Sequence, residues 1–135
     1  MSAHFTLAEF LHSDTAVAQN IENLPAWEDV ELLARLADTM EKVRGILGAS
    51  PIYITSGFRC PPLNKAVGGV SDSAHLFGCA CDFVAPHYGD ITDIIQAIQP
   101  AIAELEIDQL IHEGTWVHLG LAVPPAKPRH ECFKV

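Results

Sequence analysis

Residues Ile107–Val123 read IDQLIHEGTWVHLGLAV. Two apolar, β-rich runs, Ile107–Glu113 and Trp116–Val123, flank Gly114-Thr115, and this pattern predicts a hairpin turning on that pair. With a two-residue turn, Glu113 pairs with Trp116 and Ile111 with His118. Cross-strand partners share a face, so Glu113 and His118 fall on one side as diagonal neighbours and His112 projects from the other.

Upstream of the hairpin, Ile52–Thr55 and Cys79–Ala85 also read as strands. Helices separate them. Thr6 and Glu9 fit a capping box and Phe5 and Phe10 a hydrophobic staple, which predicts a short helix from Leu7 to Leu11 or His12, ended by Ser13-Asp14-Thr15. Val30, Leu33, Ala37, Met40 and Leu47 recur at helical spacing and predict a long helix over Trp27–Leu47, with Pro25 in its first turn and Gly48 as its stop. A third amphipathic stretch begins near Asp90 or Thr92, carries Ile91, Ile94, Ile95, Ile98 and Ile102, and should break at Pro100. The tail from Pro124 is expected to be irregular. Strands lying between and after helices predict an α+β fold, a single domain over residues 1–135 with a small, largely antiparallel sheet packed against helices.

Composition narrows the function classes. With 49% hydrophobic residues in 135, there is material for one core. No apolar run approaches the ~20 residues of a membrane span, so a membrane partner is not expected. Seventeen acidic against eight basic residues give a formal charge of −9, without the basic footprint that nucleic acid requires. The opening MSAHFTLAEF has no basic region before a greasy stretch, which predicts a protein that is cytoplasmic as synthesised, with four cysteines as reduced thiols. Cys79 and Cys81 form C-x-C, lack the spacing of zinc ribbons or thioredoxin-like sites, and read best as small residues packed in a strand.

Three residues carry chemistry. His75 and Asp82 flank a glycine-containing turn leading into a strand, and His118 lies in the last strand beside Trp116. Two imidazoles and a carboxylate are a common ligand set for catalytic zinc, with the fourth position left to water. Taken singly, each has an ordinary reading as a surface histidine or a solvated cap. Alternation sharpens the case: on an extended Cys79–Ala85, Ala80, Asp82 and Val84 share one face, and the cysteines point the other way. A carboxylate in so apolar a strand is costly to bury unless paired or metal-bound.

The segments SGFRCPPLNKAVGG (Ser56–Gly69), SAHLFGCACD (Ser73–Asp82) and DQLIHEGTWVHLGL (Asp108–Leu121) resemble the zinc D-alanyl-D-alanine carboxypeptidase family, and especially its small phage and prophage members. HFTLAEFLHSDTAVAQNIENLP at the start is similar to the N-terminal segment of those members, so the likeness covers nearly the whole chain. It implies that His75, Asp82 and His118 bind zinc, that Arg59 receives a carboxylate or carbonyl of a peptide substrate, and that Ser73 orients substrate or the neighbouring ligand. Alone, Arg59 would read as a surface salt bridge and Ser73 as a turn hydroxyl. Many members carry an acid three residues before the last zinc-binding histidine, where this chain has Thr115. Glu113 is then the nearest acid, with His112 as a rival, and the hairpin register selects Glu113 as general base. Trp116 reads either as a pocket wall or as simple packing. His4, His12, His87 and His130 fit no ligand set.

The resemblance implies metal-assisted hydrolysis of peptidoglycan stem peptides or cross-links, by a carboxypeptidase, dipeptidase or L-alanyl-D-glutamate endopeptidase, reaching the wall through a phage lysis system or in a virion. Two other readings predict different behaviour. A non-catalytic binding or virion-structural module, as hedgehog signalling domains with a similar site illustrate, would hold zinc without turnover. A thiol protein built on Cys79 and Cys81 would respond to alkylation and ignore chelators.

Overall fold

A computed structural model describes residues 1–135. Helix α1 (Leu7–Leu11) begins as its sequence dictates: Thr6 Oγ1 accepts the Glu9 N–H at 3.2 Å and the Glu9 carboxylate accepts the Thr6 N–H at 2.7 Å. The rings of Phe5 and Phe10, both buried, lie 6.2 Å apart and staple the entry. Ser13 does more than end this helix. Its hydroxyl accepts the Ala16 N–H and starts a second one, α2 (Asp14–Ala18), which the sequence reading did not include. Helix α3 (Trp27–Ile46) is capped at Ala26, whose N–H donates to Asp29, so Pro25 lies just before the helix and not within its first turn. Gly48, at φ +64°, follows its last turn. Helix α4 (Pro61–Ala66) was not foreseen: it opens on two prolines, which suit a first turn, and is too short to show a period. Helix α5 (Ile91–Ile98) is capped by Asp90, and Pro100 falls in the 3₁₀ turn Gln99–Ala101 that breaks it.

Five strands, β1 (Tyr53–Ser56), β2 (Ala80–Val84), β3 (Ile107–His112), β4 (Val117–Leu121) and β5 (Glu131–Lys134), form one sheet in the order β1-β2-β4-β3-β5. The first four pair antiparallel, and β1 is irregular between Ile54 and Ser56. β5 lies in the tail expected to be irregular and pairs parallel with β3. Its entry is fixed by Arg129, whose Nε and Nη2 grip both oxygens of Asp108 at 3.0 and 2.8 Å. The partner is thus supplied by a strand distant in sequence, which no local pattern reveals.

The sheet has two unlike faces. Cys81 and Phe83 of β2, Leu110 of β3 and Val117 and Leu119 of β4 enter one apolar cluster with Leu33, Leu36 and Met40 of α3 and Ile94 and Ile98 of α5. The residues between them, Asp82 on β2 and His118 on β4, stay outside that cluster and sit directly opposite one another.

Candidate metal centre

Each donor is delivered by a different local device. His75 lies in the 3₁₀ turn Ala74–Phe77, where Ser73 Oγ accepts the His75 N–H at 3.3 Å. Gly78 then turns the chain into β2 at φ +73°, and a Cβ there would meet the Asp29 carbonyl at 2.6 Å, so both conformation and space require glycine. Asp82 and His118 come from adjacent antiparallel strands, in register with each other.

Asp82 Oδ1 lies 3.4 Å from His75 Nε2 and 2.9 Å from His118 Nδ1, and the three donor atoms fall within 4.8 Å of one another. Zinc bonds of ~2.0–2.2 Å set a tetrahedral edge of roughly 3.4 Å, a spacing near both separations from Asp82, so the three donors suit one ion. The ring nitrogens are assigned by their partners. His75 Nδ1 donates to the Gly57 carbonyl at 2.6 Å, so Nε2 is the nitrogen that faces Asp82: protonated, it donates to the carboxylate, and without that proton its lone pair is free for a metal. His75 and Asp82 are buried and His118 half-buried. Burial by itself would raise the Asp82 pKa, but hydrogen bonds from His118 and His75 outweigh it and hold the carboxyl below the usual carboxylate range. An ionised carboxylate and two imidazoles converging out of solvent fit zinc by chemistry as well as by spacing.

Arg59 stands behind the carboxylate. Its Nη2 is 3.5 Å from Asp82 Oδ2, its Nε donates to Ser56 Oγ at 3.2 Å and its Nη1 to Asn64 Oδ1 at 3.4 Å. The segment bearing it is held by Asn23, which donates to the Phe58 carbonyl at 2.9 Å and accepts the Cys60 N–H at 2.8 Å. A polar recess of about 240 Å³ beside Arg59 is lined by Ser13, Thr15, Thr55 and Ser56.

A larger cleft of about 590 Å³ opens beside His118, with Glu113, Ser73, Gln109, Lys127 and Arg129 on its walls. The strand register is the one the two-residue turn requires: Ile111 pairs with His118, and the Glu113 N–H donates to the Trp116 carbonyl at 3.1 Å. Glu113 and His118 therefore share a face and a cleft. His112 points away, toward Thr92 of α5. Trp116 is exposed on the hairpin and is not among the residues lining the cleft.

The other sequence candidates stay apart. His4 pairs with Glu41 and His12 with Asp14, and His87 packs near Tyr53. Cys79 and Cys81 lie in the apolar cluster, with thiols that burial pushes up, and all four cysteines are free. Sequence reasoning missed Gly57, Asn23 and Asn64, which act through backbone groups or through Arg59, and the cleft wall formed by Lys127 and Arg129. The two asparagines carry no local signal; Gly57, next to the quoted Ser56 and Phe58, is the one that closer attention to SGFR would have marked. A Cβ at Gly57 would meet the Phe10 carbonyl at 2.4 Å.

Comparison with known proteins adds two findings. The sequence model of the family described as Peptidase M15 matches residues 3–119. A stretch of 50 residues is 38% identical to a protein of Streptomyces albus G named zinc D-Ala-D-Ala carboxypeptidase, covering 37% of this chain and 20% of that protein.

Proposed function

This chain belongs to the peptidase M15 family, and from that premise and the geometry of the centre we propose that it is a zinc peptidase hydrolysing peptidoglycan stem peptides or cross-links, as a D-alanyl-D-alanine carboxypeptidase or a related endopeptidase. The observation that carries the reading is the convergence of His75, Asp82 and His118 beside a cleft whose wall presents the Glu113 carboxylate.

Bound zinc would polarise a scissile carbonyl and lower the pKa of a bound water toward ~7. The side chains do the rest. His75, its tautomer set by Gly57, holds the metal with Asp82 and His118. Glu113 takes the proton of the attacking water and returns it to the leaving amine nitrogen. Arg59 orients Asp82 through Nη2, and its N–H groups beyond those already paired hold a carboxylate or carbonyl of the substrate and stabilise negative charge developing there. Ser73 positions His75 through its N–H, and Trp116 extends the binding surface beyond the cleft.

Mass spectrometry of purified muropeptides incubated with the protein tests this directly. Loss of D-Ala, or a cut between L-Ala and D-Glu, should occur, stop with a chelator and return with zinc, and the mass lost names the bond. A folded, zinc-loaded sample that leaves every muropeptide intact would overturn the reading in favour of a binding module.

A further inference from the structure

His112 sits on the hairpin but faces away from the cleft, and both of its ring nitrogens are engaged. The Gly114 N–H donates to Nδ1 at 3.1 Å, and Nε2 lies 3.2 Å from Thr92 Oγ1 on α5. A backbone N–H can only donate, so Nδ1 bears no proton and Nε2–H donates to the threonine hydroxyl. This pair of bonds fixes one tautomer and ties the turn to a helix. The residue is anchored on both sides as well: it pairs with Val117 on β4 and Lys134 on β5, and its carbonyl accepts the Val135 N–H at 3.0 Å. The turn that it grips has little else to hold it. One backbone bond, from Glu113 to Trp116, closes it, and Gly114 stands at φ +91° with open space where a side chain would be.

We propose that His112 is a positioning residue that braces the Gly114 turn from behind the sheet by accepting the Gly114 N–H at Nδ1, Thr92 serving to fix the tautomer that leaves Nδ1 an acceptor, and so sets the stance of the Glu113 carboxylate relative to His118. The inference rests on the peptidase reading, in which Glu113 moves protons. Glu113 and Gly114 share a peptide unit, so freeing the Gly114 N–H lets that unit rock and carries the Glu113 side chain with it. A proton-transfer group displaced by about an ångström loses turnover while substrate binding persists.

Three variants separate the two bonds. His112→Asn keeps an acceptor near the Nδ1 position and cannot reach Thr92. His112→Gln reaches Thr92 and gives up the acceptor for Gly114. His112→Leu loses both at similar bulk. On a stem peptide, the zinc-loaded Leu and Gln variants should lose about five-fold in kcat with KM and zinc stoichiometry unchanged, and the Asn variant should stay within about two-fold of wild type. Amide hydrogen exchange without substrate should quicken about five-fold at Gly114 in the Leu and Gln variants and not in the Asn variant. The brace is overturned if Gln keeps wild-type kcat while Asn loses it, if KM rises in place of the fall in kcat, or if Gly114 exchange is unchanged in His112→Leu. A zinc-loaded wild type that cleaves no stem peptide sinks the peptidase reading instead, and the exchange series then decides on the brace alone.

Discussion

Cys81 and Asp82 are consecutive on β2, both buried, and meet opposite environments. Cys81 enters the apolar cluster, where burial pushes its thiol well above the usual range and keeps it neutral. Asp82 turns to the other face, meets two imidazoles and a guanidinium, and stays ionised. Burial therefore does not decide charge; the partners on each face do. The core face is specified by volume and shape and tolerates exchange among apolar residues of similar size. The site face is specified by donor type and direction, and a change of one atom there is not absorbed.

The sharpest test of this contrast removes chemistry and leaves shape. Glu113→Gln should reduce kcat by about 10²–10⁴-fold with zinc content and melting temperature unaltered, and substantial residual turnover would remove Glu113 from its role. The converse change, Phe83→Ala, lies beside Asp82 in sequence and opposite it in space. It should cost about 3–5 kcal/mol in denaturant unfolding while the folded fraction still binds zinc in the same ratio. A smaller effect follows from the metal itself. With free zinc at 100 times its Kd, chelation should remove ~2.7 kcal/mol of stability, seen as a lower Tm, and Asp82→Ala should abolish that difference.

The smallest effect is a control on neither face. Slight burial opposes ionisation of Glu41, but hydrogen bonds from Ser2 and His4 bring its pKa down to about 2 from 4.5. A folded-state pKa below the unfolded one stabilises above the unfolded value and is lost as pH falls through the folded one. In chelated protein, wild type should therefore melt above Glu41→Gln at neutral pH, with the gap closing between about pH 4.5 and 2. A gap that persists at the acid end would mean that the residue acts by packing.

Much of this arrangement was legible because it is written locally or in alternation. The Thr6–Glu9 box fixed α1, the apolar spacing gave α3, and the turn at Gly114-Thr115 set a register that placed Glu113 and His118 on one face. The pleat of β2 separated Asp82 from the cysteines. What escaped has tertiary causes. Strand β5 is short and takes its place from β3 and the Arg129–Asp108 grip. Helices α2 and α4 are too brief for periodicity. That Arg59 leans on Asp82, and that Asn23 holds the segment carrying it, depends on loops meeting in space.

The ends of the sheet bear on how this protein behaves when concentrated. Both outer strands, β1 and β5, are only four residues long. β1 is interrupted by its irregularity at Ile54–Ser56, and β5 carries Glu131 and Lys134. Short, kinked or charged borders give a second chain poor purchase for adding a strand, which is how sheet proteins avoid fibrous association. The hairpin that lines the cleft beside His118 is accordingly kept in the interior of the sheet, β3 and β4 each flanked on both sides, where intermolecular pairing cannot compete with it.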